Sequence, residues 1–157
     1  MENLVIRDAQ PADLEILLGF EQELIKAERP FDSTIATDPV SYYDIAAYID
    51  DAQVKVLVAE LNNVVVSSGY AMKKQARSYL NHAYYGYLGF MFTVPEYRGK
   101  GINGLVLDKL IGWCRLCGLN EIRLTVYEDN LPALKAYSKS GFKKHICEMR
   151  LTSDTHQ

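Results

Sequence analysis

Cysteine is scarce here: Cys114, Cys117 and Cys147 are the three among 157 residues, which is no basis for a disulfide framework. The histidines are as few and lie scattered, at His82, His145 and His156, so no cluster suggests a metal, and none is expected. Positive charge is not in surplus. The formal net charge is -3, the wrong sign for a nucleic-acid binder and no attraction to an anionic membrane. No apolar run is long enough to span a bilayer, and Met-Glu-Asn-Leu-Val-Ile-Arg-Asp at the start has no signal-peptide pattern. A cytoplasmic protein is expected. Repeats, linkers and low-complexity segments are absent too, which leaves one domain over residues 1–152 and a fraying tail at 153–157. Trp113-Cys-Arg-Leu-Cys117 has the letters of a redox site. Its cysteines fall at the end of an expected helix, where the dipole favours the neutral thiol, and on one face with Leu107, Leu110 and Ile111. They read as core.

What the sequence does contain is a glycine-rich, cationic stretch. Arg98-Gly99-Lys100-Gly101-Ile102-Asn103-Gly104 follows an apolar, aromatic run and precedes an amphipathic segment, Leu105 to Cys117. That order predicts strand, turn and helix. The first turn of a helix has N–H groups without partners and a partial positive charge, so it suits a phosphate. Gly99 and Gly101 let an anion approach the backbone, and Arg98 and Lys100 add formal charge. A phosphorylated ligand is the inference. The letters also spell the dinucleotide fingerprint G-x-G-x-x-G, but the stretch lies late in the chain, and Glu128 is too far on for the usual spacing of about 20 residues.

Periodicity supplies the frame. A short strand is expected at Leu4 to Ile6 and a helix from about Ala12 to Ala27, with Leu14, Leu17, Leu18, Leu24 and Ile25 buried. Val40 to Ile49 can form a second helix. Val54 to Glu60 and Val64 to Met72 read as a hairpin turned at Asn62-Asn63. Tyr84 to Val94 reads as a central strand, Tyr85, Tyr87, Met91 and Thr93 sharing one face and Tyr84, Leu88, Phe90 and Phe92 the other. A strand at Glu121 to Tyr127, a helix from about Leu131 to Ser140 capped by Gly141, and a final strand at Phe142 to Leu151 complete the chain. The fold class is α/β, with a mixed, strongly twisted sheet of six to seven strands flanked by about four helices.

The second informative run is Asn130-Leu-Pro-Ala133-Leu-Lys-Ala-Tyr137-Ser-Lys-Ser-Gly141-Phe142. Asn130 is a natural N-cap, Pro132 fits the first turn, and Tyr137 lies two turns on. Tyr137 taken alone reads as a core tyrosine with its hydroxyl at the rim. Together the two runs resemble the GNAT-type N-acetyltransferase superfamily. Arg98 and Gly101 meet its pyrophosphate pattern [Q/R]-x-x-G-x-[G/A], and Asn130, Ala133, Tyr137, Gly141 and Phe142 meet N-x-x-A-x-x-x-Y-x-x-x-G-F.

The resemblance implies acetyl-CoA as co-substrate and a primary amine, of a small molecule or a peptide, as acceptor. It implies main-chain pairing of Met91, Phe92 and Thr93 with the pantetheine arm, where two strands splay apart. Backbone N–H groups from Gly99 to Gly104, including Lys100, Ile102 and Asn103, hold the pyrophosphate; Asn130 contacts the cofactor and Tyr137 faces its sulfur. Asn103 departs from the usual Gly or Ala. A second departure concerns the base: many relatives carry a glutamate near Gly89, Phe90 or Thr125, and none of these residues can take a proton.

An alkylamine arrives mostly protonated and must lose a proton, while the departing thiolate gains one. Direct attack within a ternary complex is expected, with Tyr137 as acid. The first helix and the loop after it offer Glu28 and Glu21 as bases, two helical turns apart, and Arg29 and Asp32 to pair with an acceptor's carboxylate and amine. The alternative is a CoA-binding or acyl-CoA-binding sensor or interaction module without turnover. A homodimer is compatible with either reading.

Overall fold

The computed structural model describes residues 3–153. The hairpin grows from its turn. Asn62 and Asn63 adopt φ of +52° and +69°, the left-handed pair that matches the twist of the flanking strands. They join β2 (Val54–Leu61) to β3 (Val64–Gln75) in antiparallel register. β1 (Leu4–Asp8) adds to the free side of β2, and β4 (Tyr84–Thr93) to the free side of β3, both antiparallel. β5 (Ile122–Leu124) joins β4 in parallel, giving the order β1-β2-β3-β4-β5.

The mixed sheet therefore has five strands among the described residues, not six to seven. Residues 142–153, expected as a final strand to Leu151, join no ladder and are exposed beyond the half-buried Phe142. Two local contacts explain this. The Phe142 N–H closes the preceding helix on the Tyr137 carbonyl at 3.0 Å, with Gly141 left-handed at φ +100°. The neighbouring edge, β5, offers only Ile122–Leu124 as a template. Of the tail expected at 153–157, all but Ser153 lies outside the described residues.

Four α-helices flank the sheet. α1 (Leu14–Glu28) and α2 (Ile45–Asp50) cover one face, where Leu17, Phe20, Ile45, Val58, Tyr70, Phe90 and Phe92 form a core cluster. α3 (Ile102–Leu116) covers the other, packing Val106, Leu107, Leu110 and Cys114 against Leu57, Ala59, Val66 and Leu88. α4 (Leu131–Lys139) sets Tyr137 against the edge of that second cluster. Cys114 is core as expected, its thiol pushed up to about 11 by burial and, secondarily, by Cys117. Cys117 is exposed at the helix end rather than buried. No helix among the described residues is long and apolar enough to cross a membrane.

β4 departs from simple alternation. Ser68 pairs with Phe92 and Tyr70 with Gly89, so Phe90 and Met91 together oppose Gly69 in a β-bulge. Phe90 takes φ +57°, a conformation rare for a bulky side chain. The extra residue reverses the faces beyond it. Phe90 and Phe92 join Tyr87 on the α1 side, and Met91 packs on the α3 side with Leu88, correcting the expected grouping. Two fully buried serines hold the bulge: the Ser68 hydroxyl donates to the Phe90 carbonyl at 3.1 Å and the Ser67 hydroxyl to that of Phe92 at 2.7 Å.

Candidate active site

Pairing between β4 and β5 ends at Leu88–Leu124, although β4 runs on to Thr93. From Thr125 the chain leaves the ladder, so the expected strand to Tyr127 stops three residues short. At the throat of this split the Tyr87 hydroxyl donates to Thr125 Oγ1 at 2.9 Å. The main chain of Gly89 to Thr93, containing the expected Met91, Phe92 and Thr93, thus has no β5 partner. An extended ligand could pair with it there.

β4 leads, through a 3-10 turn at Pro95–Tyr97, into the glycine turn. Gly99 and Gly101 have φ of +77° and +81°, and Gly101 stands at the N-cap of α3 with no side-chain cap. Only glycine adopts this sequence of angles without strain. Regular helical bonding starts with the Leu105 N–H on the Gly101 carbonyl at 3.2 Å. The N–H groups from Gly99 to Gly104 have no acceptor among the described residues. A Cβ on Gly99, Gly101 or Gly104 would meet nothing within 4 Å, so the cradle is open to an incoming group. Asn103 sits half-buried in the first turn of α3 with ordinary helical backbone. Arg98 is fixed at the turn's root, its Nε donating to the Thr93 carbonyl at 2.9 Å. Lys100 leans toward the Tyr97 ring, 5.7 Å from its centroid. The arrangement is an anion cradle at a helix N-terminus.

Across the split stands α4. Asn130 is its N-cap, accepting from the Ala133 N–H at 3.3 Å. Tyr137 packs edge-on to Phe142, with ring centroids 6.0 Å apart. Burial raises the Tyr137 hydroxyl to about 12, with the Glu28 charge and Tyr87 adding to the shift. The phenol therefore keeps its proton at neutral pH.

Glu28 is the last residue of α1, and its charge is among the causes that raise Tyr137. Its carboxyl is raised above the usual carboxylate range by desolvation, which the Tyr42 hydroxyl partly offsets. Glu28 has no ion-pair partner among the described residues. The buried Tyr42 hydroxyl leans toward it as a donor, too far for a full hydrogen bond, and meets no other described group.

Glu21 is placed differently. It is 1% exposed and accepts the N–H groups of Tyr42 and Tyr43 at 2.8 and 2.7 Å, with Ser41 at longer range. Those bonds divert residues 40–44 from the expected second helix, which starts at Ile45 under an Asp44 cap. They also press Tyr43 onto the bulge, 5.2 Å from the Phe90 ring. Glu21→Ala strands two half-buried N–H groups, so a stability loss of about 2 kcal/mol is expected in urea unfolding. Glu21→Gln, which keeps an acceptor, should lose less.

Arg29 and Asp32 meet through their main chain, the Asp32 N–H donating to the Arg29 carbonyl at 3.2 Å, but their side chains turn to different partners. Arg29 turns into the loop, donating to the Ala36 carbonyl at 2.8 Å and pairing with Asp38 at 2.9 Å. Asp32 accepts from Thr34, from the Tyr127 hydroxyl at 3.2 Å and from Arg150 at 3.1 Å. These donors, Thr34 foremost, hold its carboxyl down near about 2. Tyr42, Tyr127 and Arg150 are members of this neighbourhood that the sequence did not disclose. An unusual richness in tyrosine, 11 residues, was the available signal. Two surface hollows lie elsewhere, one against Asp8, Asp51 and Trp113 and one along Gln75 to Tyr84. The cradle and the split form an open groove, which depth alone would not reveal.

A strand interrupted by a bulge, split from its parallel neighbour and running into an anion cradle, defines a site for an extended ligand ending in phosphates. The comparisons agree on the class. The model of the acetyltransferase (GNAT) family matches residues 21–142, and the chain belongs to that family, whose co-substrate is acetyl-CoA. A curated relative, an uncharacterized N-acetyltransferase YobR of Bacillus subtilis (strain 168), is 36% identical over 58 residues. The match covers 37% of this chain and only 24% of that protein.

Solved structures share the fold along the whole chain. A mutant of a Bacillus halodurans protein superposes with a TM-score of 0.84 at 18% identity, covering 95% of this chain and 99% of its own. A predicted acetyltransferase of Clostridium acetobutylicum, solved with acetyl-CoA, gives 0.73 at 21%, covering 95% and 96%. An aminoglycoside N-acetyltransferase in complex with CoA gives 0.71 at 15%, covering 95% and 100%.

Proposed function

We propose that this protein is an N-acetyltransferase that passes the acetyl group of acetyl-CoA directly to a primary amine. The observation that carries the reading is the continuity of one groove: the main chain of Gly89 to Thr93, with no partner on its β5 side, leads to the open N–H cradle of Gly99 to Gly104, and this reading sets Tyr137 and Glu28 along it. The pyrophosphate lies on the cradle between Arg98 and Lys100, and the pantetheine arm adds as a strand along Met91, Phe92 and Thr93. Asn130 borders the cofactor beside Tyr137.

The chemistry is one displacement. The Glu28 carboxylate takes a proton from the ammonium, and the freed nitrogen attacks the thioester carbon. A β4 N–H near the bulge steadies the oxyanion. The C–N bond forms, the C–S bond breaks, Tyr137 protonates the departing sulfur, and the second proton shed by the nitrogen as it becomes an amide restores the phenol. Burial suits both groups: it lifts Glu28 toward the strength a base needs and keeps Tyr137 protonated. Glu21, with its oxygens engaged by the loop, positions that loop and serves less well as a base.

The test is thiol release from acetyl-CoA across a panel of amines. Amine-dependent release supports the assignment. Tight CoA binding with no release for any amine would make the protein a CoA-binding module. A second measurement isolates the base. A base works deprotonated, so kcat/KM climbs with pH through the Glu28 pKa, above the ordinary carboxylate range. Glu28→Gln should remove that limb and lower kcat/KM about 10- to 100-fold near neutrality. The loss should shrink as pH rises and the amine deprotonates unaided, while acetyl-CoA affinity holds. A wild-type pH profile in the variant assigns the proton to another acceptor.

A further inference from the structure

The neighbourhood of Glu28 has an asymmetry of charge that bears on the acceptor. Its carboxylate has no cation among the described residues, and its polar neighbour is the buried Tyr42 hydroxyl, which leans toward it as a hydrogen-bond donor and meets no other group. Aromatic rings surround the position. The hydroxyls of Tyr42, Tyr43, Tyr127 and Tyr137 are all made less acidic, chiefly by burial, and the Glu28 charge contributes to each shift. Tyr127 in turn stacks on Phe31, with ring centroids 5.9 Å apart.

The nearby cations are already committed. Arg29 adjoins Glu28 in sequence, yet its guanidinium donates to the Ile35 and Ala36 carbonyls and pairs with Asp38. Arg150 is spent on Asp32 and Thr34, and drawing it away would leave Asp32 with its charge uncompensated. Arg98 is anchored on Thr93, and Lys100 belongs to the phosphate cradle. A carboxylate brought in beside the acceptor nitrogen would meet Glu28 and find no free guanidinium.

Building on the acetyl-transfer reading, we propose that the acceptor is a cationic primary amine with no carboxylate next to its nitrogen, its ammonium bound between Glu28 and the Tyr42 hydroxyl and its apolar body lying on the Tyr127–Phe31 stack. The ammonium supplies what the position lacks, a positive charge for the carboxylate, and it can donate to the Tyr42 phenol oxygen, whose own proton is turned to Glu28. Tyrosine faces around it add cation–π attraction. On this proposal Arg29, engaged by the loop carbonyls and Asp38, takes no part in holding the acceptor. Amines obtained by decarboxylating amino acids have this chemistry; free α-amino acids do not.

Matched pairs test it on the full chain with acetyl-CoA: tyramine against tyrosine, phenethylamine against phenylalanine, and cadaverine against lysine, followed by thiol release. Tyrosine amide is the third arm, because it keeps the bulk at the α-carbon and loses the charge. The expected result is a kcat/KM at least about 10-fold higher for tyramine than for tyrosine, with tyrosine amide close to tyramine. Equal or better use of the amino acids would overturn the proposal and leave acetyl transfer standing. Tyrosine amide as poor as tyrosine would also overturn it, since bulk and not charge would then be what the site rejects. If no amine releases thiol although calorimetry shows CoA bound, the acetyl-transfer reading fails and this inference goes with it.

Discussion

Gly101→Glu is expected to abolish calorimetrically detectable CoA binding, a loss of more than about 100-fold, in a protein that still folds. Gly101 caps α3 at φ +81°, and the N–H groups around it point to no internal acceptor. A β-carbon there meets no neighbour within 4 Å, so the folded chain has room for the new side chain. Its cost to stability is the left-handed backbone, about 1–2 kcal/mol for a residue with a side chain. Its cost to binding is larger. A carboxylate at the helix N-terminus satisfies the dipole itself and repels the pyrophosphate. Gly101→Ala separates the two effects: it carries the strain without the charge, so it should lose similar stability and much less affinity. Wild-type affinity in Gly101→Glu would show that CoA does not use this turn.

Tyr137→Phe should lower kcat by about 10- to 1,000-fold and leave CoA affinity and thermal stability near those of the parent. The substitution keeps the ring, and with it the packing on Phe142 and on the edge of the α3 cluster. It removes only a hydroxyl that burial, the Glu28 charge and Tyr87 raise to about 12. A phenol with that pKa is protonated through the whole working range. It can donate to a leaving thiolate, and the same desolvation makes an unprotonated thiolate a poor leaving group. Thioesters with more acidic thiols need less help, so the defect should shrink with an activated acetyl donor. An unchanged kcat under conditions where chemistry limits turnover would assign Tyr137 to packing alone.

The two predictions differ in where their support lies. The cradle is local. Seven consecutive residues, Arg98 to Gly104, specify the left-handed turn, the uncapped helix start and the cations, because glycine backbone preference and helix-terminus electrostatics act over one turn of chain. Asn130 and Gly141 are legible for the same reason, one as N-cap and the other as left-handed helix stop. So is the Asn62-Asn63 hairpin. These local rules also produced the element order almost completely, with errors of a few residues where an element ends.

What they could not supply were contacts between residues far apart in sequence. The bulge at Phe90 depends on Ser67 and Ser68 in the neighbouring strand and on Tyr43 from the loop before α2. No alternation within β4 announces it. Glu21 and Glu28 look alike on a helical wheel. Packing buries the first against the N–H groups of Tyr42 and Tyr43 and leaves the second half-buried and unpaired among tyrosines. Arg29 and Asp32 looked like a binding pair, yet each found a nearer or better-placed partner, Asp38 in one case and Arg150, from 118 positions away, in the other. The sheet was over-counted because alternation in 142–151 describes a strand only if an edge is there to receive it. The long helices, the tight turns and the glycine-rich start of α3 are legible in the sequence, since they rest on interactions within a few residues. Tertiary structure alone decided which carboxylate is free, which cations are spent and where the strands part, because burial and charge pairing depend on what the rest of the chain brings alongside.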